Sequence, residues 1–138
     1  MLTREVLSQH LPSLHLHDKV YQALQLMNDN QITHLPVLDG EKFAGLLSED
    51  DLLQAENDHA PLSSLEQSFS SFAVREEDHF LKAVQLAADN GLSLVPVINE
   101  ENELTGTVTY TELLRHAAAF MSLNEPGGLI VLELPSNQ

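Results

Sequence analysis

The sequence predicts a mixed α/β (α+β) fold in which two β-α-β-β-α repeats are related by pseudo-twofold symmetry. Residues 18–38 align with residues 78–98 without a gap, and eight of the twenty-one positions are identical. The identical pairs are Asp18/Asp78, Ala23/Ala83, Gln25/Gln85, Leu26/Leu86, Asp29/Asp89, Asn30/Asn90, Pro36/Pro96 and Val37/Val97. After one extra residue in the second copy, residues 45–53 align with residues 106–114. Because a unit of about sixty residues that occurs only twice is unlike a stacked solenoid, the two copies are expected to close one core.

The hydrophobic pattern of the first copy places its opening elements. Thr3 is predicted to cap a short helix over residues 4–9, and residues 14–16 are predicted to form a brief strand. Asp18 is predicted to cap a helix that runs to Asn30. The inward stripe of this helix has the i, i+3, i+4, i+7 spacing and consists of Val20, Ala23, Leu24 and Met27.

Two strands and a second helix complete the first copy. Residues 35–38 are predicted to form a buried strand, and Asp39 and Gly40 a turn. A second strand over residues 43–48 then leads into a helix that begins at Glu49.

The second copy repeats this order. A strand is predicted over residues 72–74, followed by a helix that Asp78 caps and Gly91 ends. Its inward stripe consists of Phe80, Ala83, Val84 and Ala87. Two strands and a helix follow, at residues 94–98, 104–110 and 112–123.

These elements divide the chain into four parts. Residues 1–58 form repeat 1 with its N-terminal helix, residues 59–64 (HAPLSS) a linker, and residues 65–123 repeat 2. Residues 124–138 contain an extra C-terminal strand at residues 129–134 (LIVLEL). An unpaired apolar strand is an aggregation hazard, so this strand is expected either to begin a further C-terminal domain or to pair with another subunit.

Composition narrows the classes of partner and compartment. Six basic and twenty-one acidic residues give a net charge of −15, which disfavours binding to nucleic acid and to anionic membranes. Cysteine is absent, no apolar run approaches a membrane span, and residues 1–12 lack a secretory pattern. The expected location is therefore the cytoplasm.

A second pattern recurs in both copies and carries a family resemblance. Residues 34–53 read HLPVLDGEKFAGLLSEDDLL, and residues 94–114 read LVPVINEENELTGTVTYTELL. Both copies resemble CBS domains, and the pair, from about residue 12 to 120, resembles a Bateman module. As a whole, the chain resembles a stand-alone bacterial CBS-domain protein.

The spacing within this pattern has a physical logic of its own. Gly45 leaves room for close approach of another backbone, while Ser48 and Asp51 can converge at the start of the next helix. A carboxylate can accept two hydrogen bonds from the vicinal diol of a ribose, and a hydroxyl beside a helix N-terminus can help to hold a phosphate. The resemblance implies these same roles, so Ser48 and Asp51 are expected to form site one.

The resemblance adds further residues to the predicted sites. His34 stands where related proteins often carry a basic residue near the ligand, and Pro36 and Pro96 mark the equivalent strands. In the second copy Thr109 keeps the hydroxyl, but the acid is Glu112, whose longer side chain predicts a weaker, altered or empty site two. An alternative remains open, in which these hydroxyls and acids only cap helices.

Charge bears on the ligand and on metal binding. The six basic residues do not cluster, so an uncharged or cationic adenosine compound is favoured modestly over ATP. His15 and His17 share one side of a predicted strand, and His10 could join them as a metal ligand. Because no cysteine or evident fourth ligand accompanies them, metal binding is the minor alternative.

The resulting prediction is a regulatory module and not an enzyme. No nucleophile–base pair or glycine-rich phosphate loop stands out, and no cofactor is expected. The module is predicted to sense an adenosine-type ligand, such as AMP, ATP or S-adenosylmethionine, in the cleft between the repeats. The alternative is a ligand-free interaction module that forms a homodimer through the helices at residues 51–55 and 113–121.

Overall fold

The repeated order of strands and helices is confirmed. The computed structural model describes residues 1–7 and 11–124, without the side chains of residues 122–124. Repeat 1 contains β1 (Leu14–His15), α1 (Val20–Asn30), β2 (His34–Asp39), β3 (Lys42–Ser48) and α2 (Glu49–Leu53). Repeat 2 contains β4 (Val74–Arg75), α3 (Phe80–Asn90), β5 (Leu94–Ile98), β6 (Leu104–Thr109) and α4 (Tyr110–Asn124).

Each repeat has one three-stranded sheet with the same topology. The first strand runs parallel to the second, which pairs antiparallel with the third, giving the orders β1-β2-β3 and β4-β5-β6. The antiparallel register shifts between Val37 and Leu38 in repeat 1 and between Val97 and Ile98 in repeat 2. Because even this irregularity recurs at equivalent positions, the two copies share their backbone design as well as their element order.

The predicted inward stripes line the core. Val20, Ala23 and Met27 of α1 are buried, as are their counterparts Phe80, Ala83 and Ala87 of α3. The fourth members of the two stripes, Leu24 and Val84, pack against the core half-buried. The buried residues of both repeats form one hydrophobic cluster, which confirms that the copies close a shared core.

The predicted helix caps at Asp18 and Asp78 are wrong by one residue. The residues that precede the helices are Lys19 and His79. The Asp18 carboxylate instead accepts the N–H of His15 at 2.9 Å, and Asp78 accepts the N–H of Arg75 at 2.8 Å. Both carboxylates therefore close the turn that joins the first strand of each repeat to its helix. As in a helix cap, the side chain accepts a backbone N–H, but this N–H lies in the turn before the helix.

The opening of the chain also differs from its prediction. Thr3 lies inside a short 3-10 helix, Thr3–Val6, and does not precede one. Its buried hydroxyl donates to the carbonyl oxygen of Asp78 at 2.7 Å, so repeat 2 and not the local helix uses this side chain. The predicted extension of this helix to residue 9 runs into residues outside the described part of the chain.

Smaller differences concern where elements begin. The first strand of repeat 2 lies at Val74–Arg75 and not at residues 72–74, because its parallel partners are Val97 and Ile98. The last helix begins at Tyr110, two residues before its predicted start.

Each repeat is completed by the segment that leads into the other repeat. The N–H of Thr3 bonds to the carbonyl oxygen of Asp78 at 2.8 Å, and the N–H of Phe80 bonds to that of Met1 at 3.1 Å. Residues 59–64, predicted to be a plain linker, do the equivalent for repeat 1, where the N–H of Leu62 bonds to the carbonyl oxygen of Asp18 at 2.8 Å. Leu62 is fully buried and opens a 3-10 helix, Leu62–Ser68. The two repeats are therefore interlocked through crossed segments.

The predicted close approach at Gly45 is also present. A Cβ atom on Gly45 would lie 2.6 Å from Cβ of Phe69 and 3.1 Å from the carbonyl oxygen of Ser70. Leu46 and Ser70 exchange backbone hydrogen bonds of 2.7 and 2.9 Å. The glycine thus lets the chain leading into repeat 2 pair with β3 of repeat 1.

Two predictions fall outside the described residues, namely the C-terminal strand at 129–134 and the participation of His10 in a histidine cluster. Within residues 1–7 and 11–124, no helix combines the length and the apolar character needed to cross a bilayer.

Candidate functional site

A cleft of about 380 Å³ lies where the two repeats meet. We refer to it as the His34 cleft; its lining consists of Thr33, His34, Ser48, Glu49 and Asp50 from repeat 1 and Asn90 and Gly91 from repeat 2. The start of β2, the β3–α2 junction and the end of α3 converge here. The cleft therefore depends on the packing of the repeats and not on one repeat alone.

Ser48 stands at the N-cap of α2 and is bound to Asp51. Its hydroxyl accepts the N–H of Asp51 at 3.2 Å and donates to the Asp51 carboxylate at 2.9 Å. The convergence of the two side chains that the spacing predicted is therefore present. It has the form of a cap, in which Ser48 also lines the cleft and Asp51 does not.

Two residues of repeat 1, Thr33 and His34, contact Ser93 of repeat 2 at this point. The N–H of Thr33 donates to the Ser93 hydroxyl at 3.3 Å. The Nδ1 atom of His34 accepts the N–H of Ser93 at 3.2 Å and lies 3.0 Å from the Ser93 hydroxyl and 3.1 Å from that of Thr33. Burial lowers the pKa of His34 below its ordinary value, while the negative charges of Asp51 and Asp50 act in the opposite direction. An imidazole that accepts a backbone N–H at Nδ1 is neutral at that nitrogen.

The equivalent residues of repeat 2 are arranged differently. The Thr109 hydroxyl accepts the N–H of Glu112 at 3.1 Å, as in an ordinary N-cap. The Glu112 carboxylate, however, pairs with the guanidinium of Arg115 on the same helix and not with the Thr109 hydroxyl. The extra methylene thus redirects the acid from the junction toward a cation on the helix surface.

The two prolines lie in the middle strands, where they are buried, and neither is among the residues that line the His34 cleft. Pro36 of β2 pairs with Leu46, and Pro96 of β5 pairs with Thr107. A second cleft of about 340 Å³ lies beside this part of repeat 2 and is lined by Leu11, Ser13, Leu38, Leu104, Thr105, Gly106 and Thr107.

Sequence reasoning missed several residues around the His34 cleft. Thr33 and Gly91 line it, and Ser93 contacts His34, but the sequence marks none of them as a site residue. Glu49 also lines the cleft and belongs to the repeated pattern at residues 34–53. Asn90 could have been found, because it is identical to Asn30 of the other copy and is polar. The His34–Ser93 contact spans 59 positions in sequence and needs the packed repeats.

The histidines weighed as metal ligands lie at the surface near the start of α1. The rings of His15 and His17 stack with centroids 5.8 Å apart, and each ring has a nitrogen 3.7 Å from the Asp18 carboxylate. Within the described part of the chain, no group of three histidine, aspartate or glutamate side chains is arranged to hold a metal ion.

Comparison with known families agrees with the duplicated geometry. The CBS domain pattern matches residues 4–58 and again residues 70–119. The chain belongs to the CBS domain family. Its two matched segments make it a CBS domain pair, a class of regulatory module.

Curated relatives of this CBS pair are longer proteins. An inosine-5'-monophosphate dehydrogenase of Korarchaeum cryptofilum is 30% identical over 115 residues, which cover 83% of this chain and 24% of the relative. An uncharacterised protein of Methanocaldococcus jannaschii is 28% identical over 118 residues, covering 83% of this chain and 28% of the relative. This chain therefore spans about a quarter of the length of these relatives.

Solved structures match over nearly the whole described fold. A CBS domain pair/ACT domain protein of Thermotoga maritima superposes with a TM-score of 0.78 at 24% identity, covering 88% of this chain and 99% of that one. The structure of CBSX2 in complex with AMP superposes with a TM-score of 0.73 at 20% identity, covering 87% and 98%. CBSX2 is a CBS-pair protein of Arabidopsis thaliana. At these identities the similarity establishes the shared fold.

Proposed function

We propose that this CBS pair is a regulatory module that binds an adenosine-type ligand in the His34 cleft. The observation that carries the proposal is the cleft itself, which both repeats build and in which Ser48 and His34 converge. Its volume of about 380 Å³ lies within the range of small-molecule sites, roughly 300–1,000 Å³. A structural relative of the same fold, CBSX2, has been solved in complex with AMP.

The residues support a nucleoside more directly than a polyphosphate. Asp51 is held 2.9 Å from the Ser48 hydroxyl, and a ribose diol can replace that hydroxyl as the donor to the carboxylate. Glu49 and Asp50 line the cleft, whereas no lysine or arginine does. Together with the net charge of −15, this favours adenosine, S-adenosylmethionine or AMP over ATP.

Regulation follows if the ligand distinguishes two arrangements of the repeats. A ligand shifts such an equilibrium only through its different affinities for the two arrangements. Because the His34 cleft is lined from both repeats, its ligand contacts change whenever the repeats move relative to each other. The signal would pass to an attached domain or to a partner in the cytoplasm, and the proposal has no role for nucleic acid, for a membrane or for a metal cofactor.

Site two is proposed to contribute less. Thr109, Glu112 and Pro96 occupy the positions equivalent to those of site one, but Glu112 is engaged with Arg115. A ligand there would first have to separate this ion pair.

Replacing Asp51 tests the proposed ribose contact. Asp51→Asn removes the charge and one strong acceptor but keeps the side-chain shape, so the affinity for AMP should fall about ten-fold or more. Isothermal titration with AMP, ATP and S-adenosylmethionine measures this effect. Glu112→Gln is the matched control and should alter the affinity of site one by less than about two-fold.

Absence of binding would contradict the function itself. A ligand present at about one hundred times its Kd should stabilise the fold by about 2.7 kcal/mol, which a thermal melt readily detects. If millimolar AMP, ATP and S-adenosylmethionine give neither heat nor a melting shift, the sensing function is wrong.

A second candidate function rests on the exposed apolar side chains. Leu53 and Leu114 are 63% and 46% exposed and occupy equivalent positions in α2 and α4. Tyr21 and Leu81, 41% and 42% exposed, are likewise equivalent in α1 and α3. Such a symmetric apolar set suits a homodimer in which the helices of two copies pack together, as the sequence predicted.

Sedimentation velocity distinguishes this candidate. Under the interaction hypothesis, the wild-type chain sediments as a dimer without ligand, and Leu53→Glu together with Leu114→Glu gives a folded monomer. A wild-type chain that remains monomeric at high concentration would leave the sensing function as the better account.

A further inference from the structure

His34 is the one group in the lining of the His34 cleft that can acquire a positive charge. The other lining residues are neutral or acidic: Thr33, Ser48, Glu49, Asp50, Asn90 and Gly91. An anionic ligand that enters this cleft therefore meets negative charge from the lining carboxylates. Only protonation of the imidazole can offset that charge from within the lining.

The same imidazole forms a hydrogen bond between the repeats that depends on its protonation state. Nδ1 of His34 accepts the backbone N–H of Ser93 at 3.2 Å. A protonated imidazole carries hydrogen on both nitrogens and cannot accept this bond. Charging His34 therefore ends the bond from the Ser93 N–H, and Nδ1 becomes a donor to the hydroxyl oxygens of Ser93 and Thr33, which lie 3.0 and 3.1 Å away.

Some of the groups around His34 favour its protonated form, and others favour its neutral form. From α2, the negative charges of Asp51 and Asp50 favour the charged imidazole. The carboxylate of Glu49 lines the cleft beside Asp50. From repeat 2, the facing residues Asn90, Gly91 and Ser93 are uncharged, and Ser93 favours the neutral imidazole. Burial also favours the neutral form and lowers the pKa of His34.

We propose that a phosphorylated ligand takes up a proton onto His34 when it binds in the His34 cleft, and that this proton ends the hydrogen bond from the Ser93 N–H to Nδ1 of His34. The proton comes from solvent, and no covalent bond is made or broken. This inference rests on the proposed function and identifies its regulation: the ligand's phosphate, through the proton, favours the arrangement in which the Ser93 N–H has lost its acceptor in repeat 1 and Nδ1 of His34 donates to the Ser93 hydroxyl instead.

The affinities for phosphorylated and unphosphorylated ligands should depend differently on pH. Above the pKa of free His34, the affinity for AMP should fall by up to about ten-fold for each rise of one pH unit, because one proton must be taken up. Adenosine carries no phosphate to hold the charged imidazole, so its affinity should vary less than about two-fold over the same range. The proton therefore affects which ligand binds as well as the hydrogen bonds between the repeats.

Titration calorimetry in two buffers of different ionisation enthalpy measures the proton directly. At about pH 7.5 the phosphate of AMP is almost fully ionised, since its second pKa is about 6, so proton uptake by the complex reports on the protein. We expect uptake with AMP and none with adenosine. In parallel, the NMR shift of the His34 ring should show a higher pKa in the AMP complex than in the free protein.

Two variants test whether His34 is the residue that takes up the proton when AMP binds. His34→Asn keeps an acceptor for the Ser93 N–H but does not titrate, so AMP should bind it without proton uptake and with an affinity that no longer changes with pH. His15→Asn removes an exposed histidine outside the cleft and should leave the proton uptake as in the wild type. Thermal melts of both variants verify that they fold.

The outcomes distinguish the inference from the function on which it rests. If AMP binds the wild type without proton uptake, or if His34→Asn retains the uptake, the inference is overturned while ligand binding stands. If neither AMP nor adenosine binds, the proposed function fails and the inference fails with it.

Discussion

Single residues show where the two repeats have diverged. Ser48 and Thr109 both cap helices, yet only Ser48 is also bound by the carboxylate three residues later. Glu112 turns to Arg115 because its longer side chain reaches one helical turn along the surface. The capping spacing was readable from the sequence, whereas the contact of His34 with Ser93 was not, because it joins residues far apart in the chain.

The lowered pKa of His34 predicts a loss of stability in acid. The unfolded chain binds this proton near the ordinary histidine pKa of about 6.5, whereas burial lowers the pKa of His34 in the folded chain. The unfolded state therefore holds more protons between these two values, and stability should fall as the pH drops below 6.5 toward the folded pKa. Melting temperatures recorded from about pH 7.5 to 5 should decline less steeply for His34→Asn than for the wild type.

An exposed histidine provides the comparison for this prediction. His17, with 87% of its side chain exposed, should give the wild-type slope when it is replaced by Asn. Equal slopes for His34→Asn and the wild type would show that His34 does not contribute to acid sensitivity.

At the scale of elements, the two copies use one design with different neighbours. Gly45 of β3 and Gly106 of β6 are equivalent, and each is approached by the segment that leads into the other repeat. Gly45 lies against Cβ of Phe69, which a change of rotamer cannot move, whereas Gly106 lies against the methyl groups of Leu7. The sequence predicted the need for space at Gly45, but the identity of the approaching segment depends on the crossed connection.

Adding a methyl group at these two glycines should have unequal effects. Gly45→Ala places a carbon 2.6 Å from Cβ of Phe69, so β3 or the Leu46–Ser70 pairing must shift. The expected loss is about 1–3 kcal/mol, the usual range for overpacking. Gly106→Ala meets only Leu7 methyl groups at 3.2 and 3.3 Å, which can rotate away, so its loss should be less than half as large.

Denaturant unfolding of the two variants measures this difference. A Gly106→Ala variant as unstable as Gly45→Ala would mean that the crossing of Phe69 and Ser70 over β3 is not the source of the constraint.

At the scale of the whole molecule, the crossed segments make one folding unit from two similar halves. Residues 1–3 pair with repeat 2, and residues 60–62 pair with repeat 1 in the same way. The buried residues form one cluster that draws on both repeats and includes Leu62 from the crossing segment. Loss of one crossing segment should therefore destabilise the entire fold and not one repeat alone.

Truncation of Leu62 tests this interlocking. Although residues 59–64 have the composition of a linker, Leu62 is fully buried, so Leu62→Ala should cost about 2–5 kcal/mol. Leu65→Ala, in the same 3-10 helix but half-buried, is the matched control and should cost less. A single cooperative transition at lower denaturant concentration is expected for Leu62→Ala; two separate transitions, or an unchanged midpoint, would contradict the interlocked core.

By itself the sequence determined the duplication, the order of strands and helices, the inward faces of α1 and α3 and the pairing of Ser48 with Asp51. These features follow from local periodicity, from capping spacing and from the match between the copies, all of which act over a few residues or repeat along the chain. Only the tertiary structure decided that Thr3 and Leu62 serve the opposite repeats, that Asn90 and Gly91 close the His34 cleft, and that Ser93 holds His34. These contacts join residues about 45 to 75 positions apart, and the packing of two whole repeats, not local sequence, sets which backbone groups meet.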